Sequence, residues 1–397
     1  MGLSSEFLKF EKYDDPEIMR FTHIQNSDAW KGLQTTDEYA DREQYLGQSE
    51  VAQNHLNAEI QKKFPEGHEW FGLKYFTLRD TRIPFLGKTS QIVSSCETLN
   101  RLGYCTTPTS GGKIEPCLNV CIGGVFTPQR FRGHGYAKIM INSLNKFYDD
   151  LRNTPGAPTF IKNIVITLYS EVGEYYSQMG YKTMHVPLHN ISHMDELFDE
   201  YCSGVEGSSG SAITWENYQH LIDLQDDQFQ KKLQTSQKSN PDSFVFMIKP
   251  DMDIFKWFQY RDIFIQKKTN NGTTPCNFGF ESDKDQSHVI WHHNWNDSKL
   301  VITKVYIPDT TEDKEAALRV LLLWSISEAK SANLSTLQWW DSEIPLSDYP
   351  ELEKILHKVC DDKELYAQNG SVSAVRPPEG FDDETIVWEE NSKYCWF

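Results

Sequence analysis

Residues 120–148 read VCIGGVFTPQRFRGHGYAKIMINSLNKFY, and their reading decides the fold. The stretch opens as an apolar strand and passes through a turn that holds Gly133 and Gly135 among Arg130, Arg132 and His134. It continues as an amphipathic helix with Met140, Leu144, Phe147, Tyr148 and Leu151 on one face. Glycine lets neighbouring backbone amides converge on one oxyanion, because no Cβ crowds the approach. At a helix start those amides point outward and the helix dipole favours negative charge. Strand, glycine turn and helix together therefore predict a phosphate cradle. It is not a dinucleotide fingerprint, since GHGYAK lacks the third glycine and no acidic residue ends the following strand. It is not a P-loop either, since no GK[ST] follows.

Working outward, residues 70–78 and 89–99 read as strands joined by a turn at Asp80-Thr81-Arg82, and a Gly/Pro/Thr/Ser-rich break covers 103–116. After the helix, 163–169 is almost wholly apolar, as a centrally buried strand should be. A short helix at 171–179 stops at Gly180, and 181–187 returns as a strand. Upstream lie a short strand within 7–15, a helix over 17–30, and one or two helices within 35–63. Downstream come a helix over 215–233, a polar break at 236–242 and a helix over 252–261. Four strands follow, at 262–268, 277–281, 288–295 and 300–307, then a helix at 314–332, a strand at 336–340 and a helix at 352–360. The sheet-then-helix order thus recurs, but Ile307-Pro308-Asp309-Thr310 stands where the glycine turn stood. This predicts an α+β (mixed α/β) fold with two related domains, 1–190 and 244–397, joined by a connection over 191–243 that holds the small-residue stretch 204–211.

The chain has 397 residues, enough for two cores. Its net charge of −18 argues against a general nucleic-acid binder, which needs Lys and Arg to neutralise phosphates. The eight cysteines are scattered without paired CxxC spacing, so no metal site is expected and buried, reduced thiols are. Gly2 and the residues after it match the N-myristoylation pattern only in part, with Glu6 where Ser or Thr belongs. No apolar run approaches the ~20 residues that span a bilayer, so a cytoplasmic protein without membrane attachment is expected.

The glycine turn resembles motif A of the GNAT acetyltransferases, Q/R-x-x-G-x-G/A, which Arg132, Gly135 and Ala137 fill. The resemblance implies a GNAT fold, with a degenerate GNAT-like second copy, and acetyl-CoA as co-substrate. It implies that Arg130, Arg132, Gly133, His134, Gly135, Tyr136 and Ala137 hold the pyrophosphate, and that an amide near Val125 or Phe126 polarises the thioester carbonyl. LYSEVGEYYSQMGY is similar to the family's second signature, which places Tyr176 where a tyrosine protonates the leaving thiolate. The Asn common at the start of that signature is absent, and Tyr169 and Ser170 stand near it. Within the superfamily, SSCETL at 94–99, LYSEVGEYY and the long second half resemble the fungal lysine N6-acetyltransferases. That resemblance implies transfer of acetyl to the ε-amine of free L-lysine, in lysine degradation. Polyamine, aminoglycoside and protein-lysine acetylation stay open, as does a non-catalytic acyl-CoA sensor.

A lysine ε-amine with an ordinary pKa near 10.4 must lose a proton before it attacks, so a base is needed. Glu97, on the strand paired with the cofactor strand, is one candidate. The chain end, SKYCWF, is the other: an apolar terminus is expected to dock, and Phe397 would bring its carboxylate to the pocket as base or anchor. No cysteine stands in a Cys/His setting, so attack is read as direct. The acidic tail residues Asp382, Asp383, Glu384, Glu389 and Glu390 are read as a solvated face.

Overall fold

The computed structural model describes residues 5–205, 209–269 and 274–397. Gly2 and part of the 204–211 stretch lie outside the described residues. The strand of the deciding stretch, β4 (Glu115–Phe126), lies inside the first of two mixed sheets. That sheet runs β1 (Leu8–Tyr13), β2 (Gly72–Asp80), β3 (Ile92–Thr106), β4, β5 (Val165–Ser170), β14 (Val372–Arg376) and β6 (Lys182–Thr183). β9 (Phe244–Ile248) pairs with the far end of β3 and carries β15 (Ile386–Trp388) on its other edge. The second sheet runs β7 (Leu188–Ile191), β13 (Thr336–Trp340), β12 (Lys299–Tyr306), β11 (His288–Asn294), β10 (Gly279–Ser282) and β8 (Gly210–Ala212).

Each sheet holds the same unit. β3 and β4 are antiparallel, and β4 crosses over to a parallel β5 through the helix Tyr136–Arg152. β11 and β12 are antiparallel, and β12 crosses over to a parallel β13 through the helix Lys314–Ser331. The first helix buries Met140, Ile141, Leu144 and Tyr148, spaced three and four apart, against the sheet. Leu144 is fully buried, so Leu144→Ala would cost about 2–5 kcal/mol. The second helix buries Leu318, Leu321, Leu322 and Ile326 in the same way.

The two sheets exchange segments across the boundaries expected from sequence. β9, β14 and β15 return to the first sheet from beyond residue 243, and β7 starts the second sheet at Leu188. Four local expectations are corrected. Residues 262–268 are helix, within a continuous Met252–Thr269. Their β-branched and aromatic residues suggested a strand, but Phe258, Asp262, Ile265 and Gln266 fall on one buried helical face, and packing overrides propensity. Residues 103–106 extend β3 because β9 supplies them a partner. Of 181–187 only Lys182–Thr183 pairs, because β14 lies between it and β5. The helix Gln219–Ser239 runs well into the expected polar break.

The C-terminal tail threads between the sheets. Arg101, itself buried, donates to the carbonyl of Tyr394 at 2.8 Å, and the buried Tyr394 hydroxyl donates to the carbonyl of Ile248 at 3.2 Å. The tail's acidic residues are not all solvated: Glu390 is half-buried and pairs with Lys232 at 2.5 Å and Lys304 at 3.0 Å. Among the cysteines, Cys276 is exposed and Cys360 half-buried, while the other six are buried thiols.

Candidate active site

β4 pairs with β5 only from Asn119 to Ile122. Its last four residues, Gly123–Phe126, leave β5 behind and turn that edge toward a cavity of about 660 Å³ bordered by Gly123, Gly124 and Val125. A volume of this order suits a small-molecule site. Gly123 lies directly under Phe397: a Cβ there would lie 2.7 Å from the tip of that ring and would push it aside. The last residue of the chain therefore packs on the open strand, edge-on to Trp257 at 6.0 Å between ring centroids.

Glu97 and Tyr176 border the same cavity as Phe397. Glu97 lies opposite Gly123 in the β3–β4 register, and its Oε1 is 3.4 Å from Nε2 of the buried His23. Burial opposes protonation of His23, but the Glu97 carboxylate, helped by Glu43, holds its pKa above the usual histidine value. The Glu97 carboxylate thus sits beside an imidazole that tends to keep a proton. Tyr176 lies in the 3₁₀ turn Gly173–Met179, which Gly180 ends. Burial, then Cys96, Tyr175 and Glu171, push its hydroxyl well above the ordinary tyrosine value, so it keeps its proton at neutral pH.

The glycine turn stands beyond the open end of β4 and outside the cavity lining. Arg130, Arg132, Gly133, His134 and Gly135 are all exposed. Gly133 and Gly135 hold φ of +80° and +79°, a conformation other residues reach only with strain, and nothing lies within 4 Å of where their Cβ atoms would be. Gly135 caps the Tyr136–Arg152 helix and offers no side chain to its first amides. Arg132 donates from Nε to the carbonyl of Thr127 at 3.0 Å and lies over the Phe126 ring. The turn can therefore meet an external anion with backbone N–H groups and guanidinium groups together. Val125 borders the cavity, Ala137 is half-buried in the first helical turn, and the Phe126 side chain is buried. Tyr136 turns its ring into the core and donates its hydroxyl to Asp80 Oδ2 at 2.6 Å, so only its backbone belongs to the turn.

Sequence reasoning missed the opposite wall, which carries Arg261, Asp262, His292, Lys393 and Trp396. His292 donates from Nδ1 to Asp262 Oδ2 at 2.7 Å, and burial pushes its pKa down to about 4, so the ring is neutral at pH 7. Arg261 ends the segment read from sequence as a helix, and Asp262 begins the one read as a strand. On the Met252–Thr269 helix they reach the cavity, a placement that no motif signals. Among the described residues, one group has metal-ligating atoms within 4.8 Å of one another: His193, Cys360 and Glu364. The Glu364 oxygens there already accept from Ser192, His193 and Asp361.

Comparison with known proteins gives the following likenesses. The family model described as "LYC1 GNAT-like C-terminal domain" matches residues 203–397. The Saccharomyces cerevisiae protein YGR111W is 49% identical over 98% of both chains. A Yarrowia lipolytica lysine acetyltransferase is 23% identical over 75% of both. Among solved structures, a GCN5-related N-acetyltransferase from Kribbella flavida is similar at 12% identity and TM-score 0.46, over 94% of this chain and 72% of that one. The chain belongs to the GNAT superfamily of N-acetyltransferases. Its second half is a GNAT-like domain of its own. Among the described residues, no helix is long and apolar enough to cross a membrane.

Proposed function

We propose that this acetyltransferase moves the acetyl group of acetyl-CoA to the ε-amine of free L-lysine, giving N6-acetyl-L-lysine by direct attack. One observation carries the reading: Glu97, Tyr176 and Phe397 meet on one cavity at the open end of β4. The named activity of the Yarrowia relative supports lysine as the amine.

The residues present fit acetyl-CoA. The amides from Gly133 to Ala137 have no capping side chain and stand among Arg130, Arg132 and His134, which suits a pyrophosphate. Bound there, acetyl-CoA supplies an acyl group already activated as a thioester. The open edge at Gly123–Phe126 would offer a backbone N–H group at Val125 or Phe126 for the acyl arm. Glu97, or the carboxylate of Phe397, takes the proton from the substrate ammonium, which must be neutral to attack. Tyr176, whose hydroxyl stays protonated, holds a proton at Oη for a departing thiolate. The second half supplies the other wall of the cavity.

A thiol-release assay with acetyl-CoA tests the reading across L-lysine, spermidine, an aminoglycoside and a histone-tail peptide. The expected result is fast release with L-lysine alone and a product whose mass and fragmentation give N6-acetyl-L-lysine. Binding of acetyl-CoA without release for every amine would instead favour an acyl-CoA sensor.

A further inference from the structure

The cavity is unevenly charged. On the first-sheet side Glu97 faces it, and the one arginine there, Arg42, is engaged with Glu43 at 2.5 Å and Gln34 at 2.9 Å. On the second-sheet side stand two cations with little compensation. Among the described residues Arg261 makes one ion pair, with Asp262 at 3.8 Å from Nε, and that carboxylate is shared with His292 at 2.7 Å. Lys393 is buried, and its ammonium has neither an ion pair nor a hydrogen bond among the described residues. Its ammonium lies 3.7 Å from the ring centroid of Trp396 and 5.1 Å from that of Phe258. Arg261 stacks on the same Phe258 ring at 5.3 Å, so one aromatic side chain fixes both cations on one wall. Lys299 adds a third cation to the lining. Of the other acids that border the cavity, Glu171 is held by Trp30 at 2.9 Å, and Asp297 accepts from Asn294 at 3.0 Å.

A buried cation without a counter-ion is unfavourable in an empty site and favourable once an anion enters. We infer that Arg261 and Lys393 form a carboxylate-binding subsite, so that the amine substrate is a free amino acid, bound with its carboxylate on the second-sheet wall and its reacting amine toward Glu97 and Tyr176. This rests on the acetyltransferase reading above and narrows it, because polyamines, aminoglycosides and lysine side chains within a protein carry no such carboxylate. Burial first, and then the neighbouring Arg261, press the Lys393 ammonium well below the usual lysine pKa, against the smaller opposing pull of Asp262, Glu171 and Asp297; a bound carboxylate would add to that opposing pull.

Calorimetric titration of the full-length protein with L-lysine and with 1,5-diaminopentane, which keeps the amine and lacks the carboxylate, tests the subsite. L-lysine is expected to bind at least about tenfold more tightly, the scale of one charge-assisted hydrogen bond. Arg261→Gln or Lys393→Met should bring the ratio near one. Equal affinities in the unaltered protein, no binding of either ligand, or a ratio unchanged in both variants would overturn the inference. The ligand pair reads the unaltered protein, so a variant that misfolds does not protect the claim. The thiol-release assay reads the other reading separately. Thiol release with equal affinities removes the subsite and leaves the transferase. A preserved ratio without thiol release supports the subsite and removes the transfer.

Discussion

The two sheet–helix–sheet units differ less in topology than in what fills their openings. In both, the central strand pairs with its parallel neighbour for only a few residues, Asn119–Ile122 of β4 and Lys299–Val301 of β12, and then runs on with that edge unpaired. In the first unit the unpaired stretch borders the cavity. In the second the chain fills the gap itself: Glu343 accepts from the amide of Val305 at 2.6 Å and pairs with Lys304 at 2.8 Å, and Lys304 also pairs with Glu390 from the tail. The helix starts differ in the same way. Asp313 accepts from the amide of Ala316 at 2.8 Å, whereas Gly135 leaves the first amides of its helix uncapped. A helix start carries unpaired N–H groups and partial positive charge, and a carboxylate answers both. At both positions the second copy uses its own carboxylates, whereas in the first Gly135 offers its helix no side chain and Gly123–Val125 border the cavity. A repeated architecture can therefore keep its packing while only one copy keeps a site.

The filled gap gives the largest expected effect. Lys304 is buried between Glu343 and Glu390, and with Lys232 it holds the Glu390 carboxyl down near 2 against the cost of burial. Lys304→Met would leave the Glu343 charge buried without its partner and should lower stability by about 3–5 kcal/mol, read by urea unfolding. A loss below about 1 kcal/mol would mean that the gap is not filled by this network. Next comes the open gap. Tyr176→Phe removes the hydroxyl held at the cavity and should cut kcat by about 100-fold or more with little change in stability. An unchanged kcat would break the claim that the first unit is the reacting one. Smaller again is the transplant of the second helix cap into the first. Gly135→Asp puts a carboxylate at the open helix start, in a backbone conformation that Asp tolerates better than most residues. The KM for acetyl-CoA should rise about tenfold, while kcat at saturation falls much less.

Much of this was legible in residues and some was not, for physical reasons. The glycine turn announces itself because its backbone conformation depends on residue type: few sequences place two left-handed glycines between a strand and an amphipathic helix. Tyr176 is legible because a glycine stop and a buried strand frame it. The doubled architecture showed in the recurrence of apolar periodicity. The interleaving did not: β9 and β14 join the first sheet by long-range pairing, and a strand carries no mark of which sheet it joins. Arg261 and Lys393 were illegible for a related reason. One ends the stretch read as a helix, just before Ile and Phe residues that read as a strand, so nothing marks that the helix runs on past it. The other is a lysine near the chain end, where exposure is the ordinary expectation, and only the packing of the tail on Tyr169 and Trp257 buries it.

The smallest expected effect is the reverse of the transplant and the sharpest check on the comparison. Asp313→Ala removes the cap from the second helix without touching the cavity, since Asp313 is exposed and its carboxylate meets the amide of Ala316. Loss of such a cap costs about 1 kcal/mol, a shift of only a few degrees in melting temperature for a chain of this size. The KM for acetyl-CoA should not move. If the two helix starts were equivalent anion sites, with one merely occupied by Asp313, then Asp313→Ala would uncover a second site, and titration with a coenzyme A analogue would give a stoichiometry of two. The expectation here is one. Opening the cap restores the helix amides, but the gap beside β12 stays filled by Glu343 and Lys304, and the turn before Lys314 has neither the paired glycines nor the arginines that make the first start a cradle.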